Sequence, residues 1–298
     1  VSPISEKRGA GASLPRLLLV LSLPYLAISL NNTGFLALLP FVRDEFDLTR
    51  AQVGSYTTFF FISAALLAVF TGSLVDRLGA RKGIIIGLSC MGSAMLLYGL
   101  VPSFPLLLGL TSLAGLGFSI ITPSVNKGVL AGAPPGKRAT SMGIMQSGIG
   151  IGGFAGASLL PVVGDSIGWR LSIQSTAAFA LFIALMIYLS YRDDSSPGAP
   201  PAETEALGEN LMSLLADRRI LRVCCVGAVY GSMFAAAVSH YTVFLSEDLQ
   251  LTAALAGLGL GLVHVGGIAG RPLWGWLSDA VFQGDRPKTL FSVGLMIG

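Results

Sequence analysis

Long apolar runs alternate with short polar interruptions along the whole chain. They cover about residues 17–42, 52–74, 83–102, 104–132, 141–164, 169–191, 220–246 and 254–278, and another begins near Lys288. Each complete run holds the roughly 20 residues that a helix needs to cross about 30 Å of hydrocarbon. Without water to satisfy backbone groups in that layer, such runs must be helical. Pro123 predicts a break in the fourth. The first run exceeds the apolar core of about 7–15 residues found in signal peptides, so it reads as a span. A polar tail, 1–16, precedes it. Between the sixth and seventh runs, Asp193–Glu203 is rich in proline and small residues and reads as a linker. Asn210–Arg219 suits a short amphipathic helix at the membrane surface. The pattern therefore predicts an all-α polytopic membrane protein: tail 1–16, six spans over 17–191, linker 192–219, and 220–298 with two spans and the start of a ninth. The last run is cut short at Gly298.

The second and third runs are joined by Gly72-Ser-Leu-Val-Asp76-Arg77-Leu-Gly79-Ala-Arg81-Lys82. So short a connection makes the two spans antiparallel neighbours. Gly72 is expected to permit close helix packing, and Gly79 a tight reversal. A second copy, Gly275-Trp-Leu277-Ser-Asp279, lies 203 residues further on. The same register pairs Leu48 with Leu251, Thr49 with Thr252, Ala51 with Ala254 and Gly54 with Gly257. Ungapped identities spread over a whole span predict an internal duplication, as in secondary transporters built from parallel repeats. With these residues in view, the sequence resembles the major facilitator superfamily, whose signature loop between helices 2 and 3 matches 72–82. The resemblance covers about residue 15 to the end. It implies a fold of two six-helix halves, of which this chain carries the first half, helices 7 and 8, and part of helix 9.

Composition agrees with the pattern. Hydrophobic residues make up 53% of the chain and charged residues 12%, against about 25% charged in a soluble domain; the mean hydropathy is +0.73. The net charge of +3 does not point to nucleic acid, because the basic residues sort by membrane side. With the N-terminus inside, Lys7, Arg8, Arg16, Arg77, Arg81, Lys82, Lys137, Arg138, Arg192, Arg218, Arg219, Arg222, Arg286 and Lys288 are cytoplasmic. Only Arg43, Arg50 and Arg170 are outside, which places the N-terminus in the cytoplasm of a cell membrane. Cys90, Cys224 and Cys225 lie in apolar runs without metal-ligand spacing and read as packing residues. No carboxylate falls within the body of a span, and no His-Glu-x-x-His or Gly-x-Ser-x-Gly motif occurs. An enzyme, a metal and a cofactor are not expected; the expected partners are the lipid bilayer and a small solute.

Arg271 is the sharpest chemical signal. Eight residues before Asp279, it lies about 12 Å into the membrane at 1.5 Å per residue. A cation at that depth normally faces a cavity or a partner. Gly261, His264, Gly267 and Arg271 share one helix face, which predicts a polar cavity wall. Two readings stay open: a fixed site for an anionic substrate, or an ion pair with a carboxylate on one of the helices missing from this chain. Gly270-Arg271-Pro272 resembles the helix-8 segment of monocarboxylate and oxalate-type carriers, whose arginine meets the substrate carboxylate. Those monocarboxylate carriers have an aspartate where this chain has Gly267. In the fourth span, Thr111, Gly115, Ser119, Thr122 and Asn126 form a polar stripe expected to line the same cavity. Many proton-coupled drug exporters carry an arginine at the Thr111 position, so that resemblance is weaker. Of Asn31 and Asn32, one is expected to face the cavity and one a neighbouring helix. Lys127 reads as a cytoplasmic snorkel or a ligand, and Gln146 as a weaker cavity candidate. Gly148, Gly152 and Gly156 read as a packing face. Gly168-Trp169-Arg170, His240 and Tyr241 read as interfacial anchors.

The resemblance also assigns the repeated aspartates. Asp76 is expected against the cytoplasmic end of helix 11, a helix outside this chain, and otherwise near Arg77 or Arg81. Asp279 is expected against the first turn of the fifth span, residues 138–142 beginning at Arg138. A carboxylate gains about 0.3–1 kcal/mol at a helix N-terminus. The function expected is secondary transport of a small organic solute, an anion such as a carboxylate, by alternating access of a monomer. A non-transporting receptor on the same scaffold and a proton-coupled drug exporter are the alternatives.

Overall fold

A computed structural model describes residues 14–191, 216–245, 249–251, 253–283 and 285–297. Most of the expected tail and linker, including the Asn210 segment, lies outside the described residues, as do the side chains of His240 and Tyr241. The described residues are helical, without strands. They comprise α1 (Leu14–Phe46), α2 (Arg50–Tyr98), α3 (Phe104–Gly132), a 3-10 turn (Pro135–Lys137), α4 (Arg138–Ile167) and α5 (Trp169–Ser190). Then follow α6 (Arg218–Val243), α7 (Ala253–Trp276) running into a π turn (Leu277–Val281), and α8 (Arg286–Ile297). Among the described residues, six segments are long and apolar enough to cross a membrane, lying in α1, the two arms of α2, α3, α4 and α5. This is an integral membrane protein.

Gly79 alone breaks α2, with φ 80 and ψ 166. Tyr56 on the first arm packs edge-on against Tyr98 on the second, ring centroids 6.5 Å apart, so the chain reverses at this one residue. The stretch 72–82 is therefore helix on both sides of a single glycine, not the loop its charges suggested. A Cβ at Gly72 would meet no described atom within 4 Å, so this glycine serves no close packing among the described residues. The fourth span is not broken: α3 continues through Pro123 to Gly132. Thr49 starts α2 with a capping box, Thr49 N–H donating to Gln52 Oε1 at 2.8 Å and Gln52 N–H to Thr49 Oγ1 at 3.3 Å.

The chain divides into two compact units, one formed by residues 1–195 with 261–298 and the other by 196–260. The smaller unit holds α6 and the start of α7, and its described arginines, Arg218, Arg219 and Arg222, are exposed. In the larger unit α1 packs on α4, and α2 folds against α3 and α5. Its core gathers Phe35, Tyr56, Tyr98 and Trp169. The Glu45 carboxylate fastens one end of this bundle, accepting from Trp169 Nε1 and Arg170 Nη2, both at 2.5 Å. The Arg170 guanidinium also donates to the Gly99 carbonyl at 3.1 Å and lies 4.7 Å from the Trp169 ring centroid. Trp169 is buried, so it joins helix ends and is not the interfacial anchor expected.

The glycine face of α4 packs as expected. A Cβ at Gly148 or Gly152 would collide with the Ser22 or Leu26 carbonyl, and one at Gly156 would sit 2.7 Å from Gly34 N, all on α1. The opposite face of α4 is also small. A Cβ at Gly143 would collide with the Arg271 carbonyl, and one at Gly150 would lie 2.8 Å from the His264 carbonyl. The Ser147 hydroxyl donates to the Ile268 carbonyl at 2.9 Å. Thus α4 lies between α1 and the later part of α7, close to both backbones.

Candidate functional site

Arg271 lies half-buried on α7, where Pro272 leaves its backbone in tight contact with Gly143 of α4. The guanidinium folds back along its own helix: a Cβ on Gly267 would stand 2.5 Å from Arg271 Nη1. Glycine at 267 therefore makes the space this side chain occupies. Nη1 is buried and makes no hydrogen bond, and no ion pair joins Arg271 to any described residue. The result is a cation in an apolar helix with no compensating charge among the described residues.

The rest of the expected cavity wall divides. The His264 ring packs on Gly153, and Gly261 faces Phe154 and Ser158 of α4. These two residues form a helix contact and not an open polar wall; Gly153 lets the imidazole lie against the α4 backbone. Thr111 is also removed from the wall. It is buried, accepting from the Tyr98 hydroxyl at 3.0 Å and donating to the Leu107 carbonyl at 2.8 Å, while Gly115 lies under the Phe60 carbonyl. The N-terminal part of the stripe thus joins α3 to α2. Ser119 is buried and donates to Leu116 at 2.8 Å. Thr122 and Asn126, at the other end, are half-buried beside Tyr25 of α1. Of the paired asparagines, Asn31 is fully buried, donating to the carbonyls of Ala27 at 2.9 Å and Thr176 at 3.0 Å and accepting from the Thr176 hydroxyl at 3.2 Å. It ties α1 to α5 and is not a lining residue. Asn32 remains half-buried, as does Gln146.

Asp279 and Asp76 are held differently. The Asp279 carboxylate, in the π turn, accepts from the Thr140 N–H at 2.7 Å and the Thr140 hydroxyl at 3.0 Å. Thr140 belongs to the first turn of α4, where backbone N–H groups lack helical partners. Gly275, one turn earlier, permits the approach, since a Cβ there would stand 2.5 Å from the Ala139 carbonyl. Arg138, expected as a partner, is exposed at the start of α4. Asp76 pairs with Lys127 of α3 at 2.9 Å, and the same ammonium donates to the Val75 and Asp76 carbonyls at 3.2 and 3.3 Å. Lys127 therefore closes the C-terminal turn of the first arm of α2, where unpaired carbonyls favour a cation. Arg77 and Lys82 are exposed. Arg81 donates to the Tyr188 carbonyl of α5 and lies 5.2 Å from the Tyr188 ring centroid. At this end of the bundle a cavity of about 800 Å³ opens, lined by residues of α1, the 3-10 turn, α4, α7 and the π turn, including Ser22, Lys137, Thr140, Ile144, Trp276 and Asp279. It does not reach Arg271.

The sequence pattern of the Major Facilitator Superfamily matches residues 21–298. The chain belongs to the major facilitator superfamily. The membrane sensor protein UhpC of Salmonella typhimurium is 24% identical to it over 94% of this chain and 68% of the relative. The hexuronate transporter of Bacillus subtilis is 23% identical over 85% of this chain and 62% of the relative. The D-galactonate transporter of Escherichia coli is 23% identical over 86% and 66%. Among solved structures, a bacterial homolog of the human lysosomal transporter Spinster, inward-facing and unoccupied, superposes with a TM-score of 0.68 at 22% identity, covering 94% of this chain and 64% of that one. This superfamily chain thus spans about two thirds of the length of the relatives it matches.

Proposed function

We propose that the protein is a secondary transporter of a small organic anion, a carboxylate of sugar-acid size, moved by alternating access through the cell membrane. The observation that carries this reading is Arg271, a guanidinium held in an apolar helix with no carboxylate beside it among the described residues. Its planar fork suits bidentate binding of a carboxylate. Two relatives named for sugar acids, hexuronate and D-galactonate, favour the same class. Thr122, Asn126 and Asn32 supply neutral polar groups, and the N-terminus faces the cytoplasm under the charge asymmetry of the loops. On this reading the Asp279–Thr140 contact is a latch that holds the cytoplasmic side shut. The drug-exporter alternative lacks support at Thr111, whose hydroxyl is committed to Tyr98 and Leu107.

The test is uptake of labelled D-galactonate and of a labelled hexuronate by the intact protein in proteoliposomes, with the neutral polyol galactitol as a control. Saturable accumulation of an acid is expected. A second reading is favoured by the relative named as a membrane sensor: saturable binding of an acid without movement across the bilayer would assign the protein to sensing.

A further inference from the structure

In an α-helix each carbonyl is met by the amide N–H four residues further on. For Ile268 of α7 that residue is Pro272, which has no N–H. The Ser147 hydroxyl of α4 donates to this Ile268 carbonyl at 2.9 Å. Gly143 and Gly150 lie one turn to either side of Ser147, and both bring the α7 backbone close. A Cβ at Gly143 would stand 2.9 Å from Pro272 Cα, and one at Gly150 would stand 2.5 Å from Ile268 Cγ1. A carbonyl freed by proline inside an apolar bundle needs such a partner, because no bulk water is beside it. The hydroxyl also has a second acceptor, the Gly143 carbonyl of its own helix at 3.2 Å, and only one hydrogen to give. Ser147 therefore keeps an acceptor if α7 moves away, whereas Ile268 loses its donor.

We infer that Ser147 and Pro272 form a clasp between α4 and α7: the proline strips Ile268 of its helical donor, and the serine supplies one only while the two helices touch. The inference rests on the alternating-access reading above and adds a second point of closure to it. Asp279 lies at the end of the bundle and uses a charge. Ile268 precedes it by 11 residues, about 16 Å deeper along α7 at 1.5 Å per residue, and stands three residues before Arg271. When α7 parts from α4, water entering between them takes over the carbonyl, so the clasp gives the closed state one net hydrogen bond.

The experiment places nitroxide labels at Arg77→Cys and Val281→Cys, both exposed positions, in the intact protein with Cys90, Cys224 and Cys225 replaced. Pulsed dipolar spectroscopy in liposomes then reads the shares of short, closed and long, open distances. Ser147→Ala leaves a buried carbonyl unmet in the closed state alone, so it should raise the open-to-closed ratio at least about fivefold. In a Pro272→Ala background the amide of residue 272 restores the helical bond, and Ser147→Ala should change the ratio by less than about twofold. A Ser147→Ala shift of equal size in both backgrounds would make the serine an ordinary packing contact and overturn the clasp. Asp279→Asn keeps the two readings apart. If it populates the long distance while Ser147→Ala does not, the clasp alone falls. If no variant, Asp279→Asn included, gives a long distance, the alternating-access reading falls first and the clasp with it.

Discussion

At the scale of single residues, Asn31 and Arg271 are both polar side chains in apolar helices, and their surroundings separate them. Asn31 binds α5 through donor and acceptor at once. Replacing it with leucine removes both bonds between α1 and Thr176, whose hydroxyl still donates to the Ile173 carbonyl at 3.0 Å, so Asn31→Leu is expected to destabilise the bundle by about 1–2 kcal/mol. The thermal midpoint of the purified protein should fall while KM for the transported acid stays unchanged. A raised KM at unchanged stability would return Asn31 to the substrate site. The depth of Arg271 could be counted from Asp279 in the sequence, because helical rise is constant. The direction in which Asn31 points could not, since α1 has buried residues on every side and no single polar stripe to set its rotation. Tyr25 gave no signal at all: a tyrosine within an apolar run is ordinary until Asn126, 101 residues away, is placed against it. Lys127 was ambiguous for the same reason, its partner Asp76 being 51 residues distant.

Among elements, the most specific packing is that of α4 between α1 and α7. Leucine at Gly150 would meet the His264 carbonyl and Ile268, with no room on the other side because Gly148 and Gly152 already touch α1. Overpacking of this kind costs about 1–3 kcal/mol or more. Gly150→Leu should therefore reduce the yield of monodisperse protein, whereas Gly72→Ala, facing open space, should leave it unchanged in the same gel-filtration assay. The opposite ranking would contradict the packing described. The Lys127–Asp76 pair is half on the surface, Asp76 being 77% exposed, so the coupling in a double-mutant cycle of Lys127→Met and Asp76→Asn is expected to stay below about 1 kcal/mol. A larger value in thermal unfolding would show a pair more shielded than this geometry allows. The duplication was legible in the sequence as one register of 203 residues. Asp47 and Gln250, which that register pairs, both take φ 49, as does Gln283, an uncommon left-handed conformation for residues other than glycine; the turn at Gly79 is not repeated at its register partner Phe282, whose φ is −88. The sharpness of the turn at Gly79 was not legible, because charges in a short connection do not tell a loop from helix that continues to a single glycine.

For the whole molecule, one contact tests the latch and one charge tests the chemistry. Asp279→Asn keeps the shape of the side chain but weakens its bonds to the Thr140 amide and hydroxyl, since a charged acceptor is roughly twice as strong as a neutral one. If that contact holds the cytoplasmic side shut, the change shifts the population toward the inward-open state. A cysteine at Ser147, whose hydroxyl bridges α4 and α7, should then react several-fold faster with a membrane-impermeant maleimide applied from the cytoplasm. Cys90, Cys224 and Cys225 are replaced beforehand. Unchanged labelling would mean that Asp279 joins α4 to α7 without gating. The central claim is that Arg271 binds the carboxylate of a transported anion. Its most direct test is the initial rate of D-galactonate uptake by the intact protein in proteoliposomes, measured for the wild type, Arg271→Lys and Arg271→Ala. Lysine keeps the charge but loses the fork, so KM should rise about tenfold or more, and alanine should abolish saturable uptake. Acid uptake by Arg271→Ala with wild-type kinetics would contradict the account.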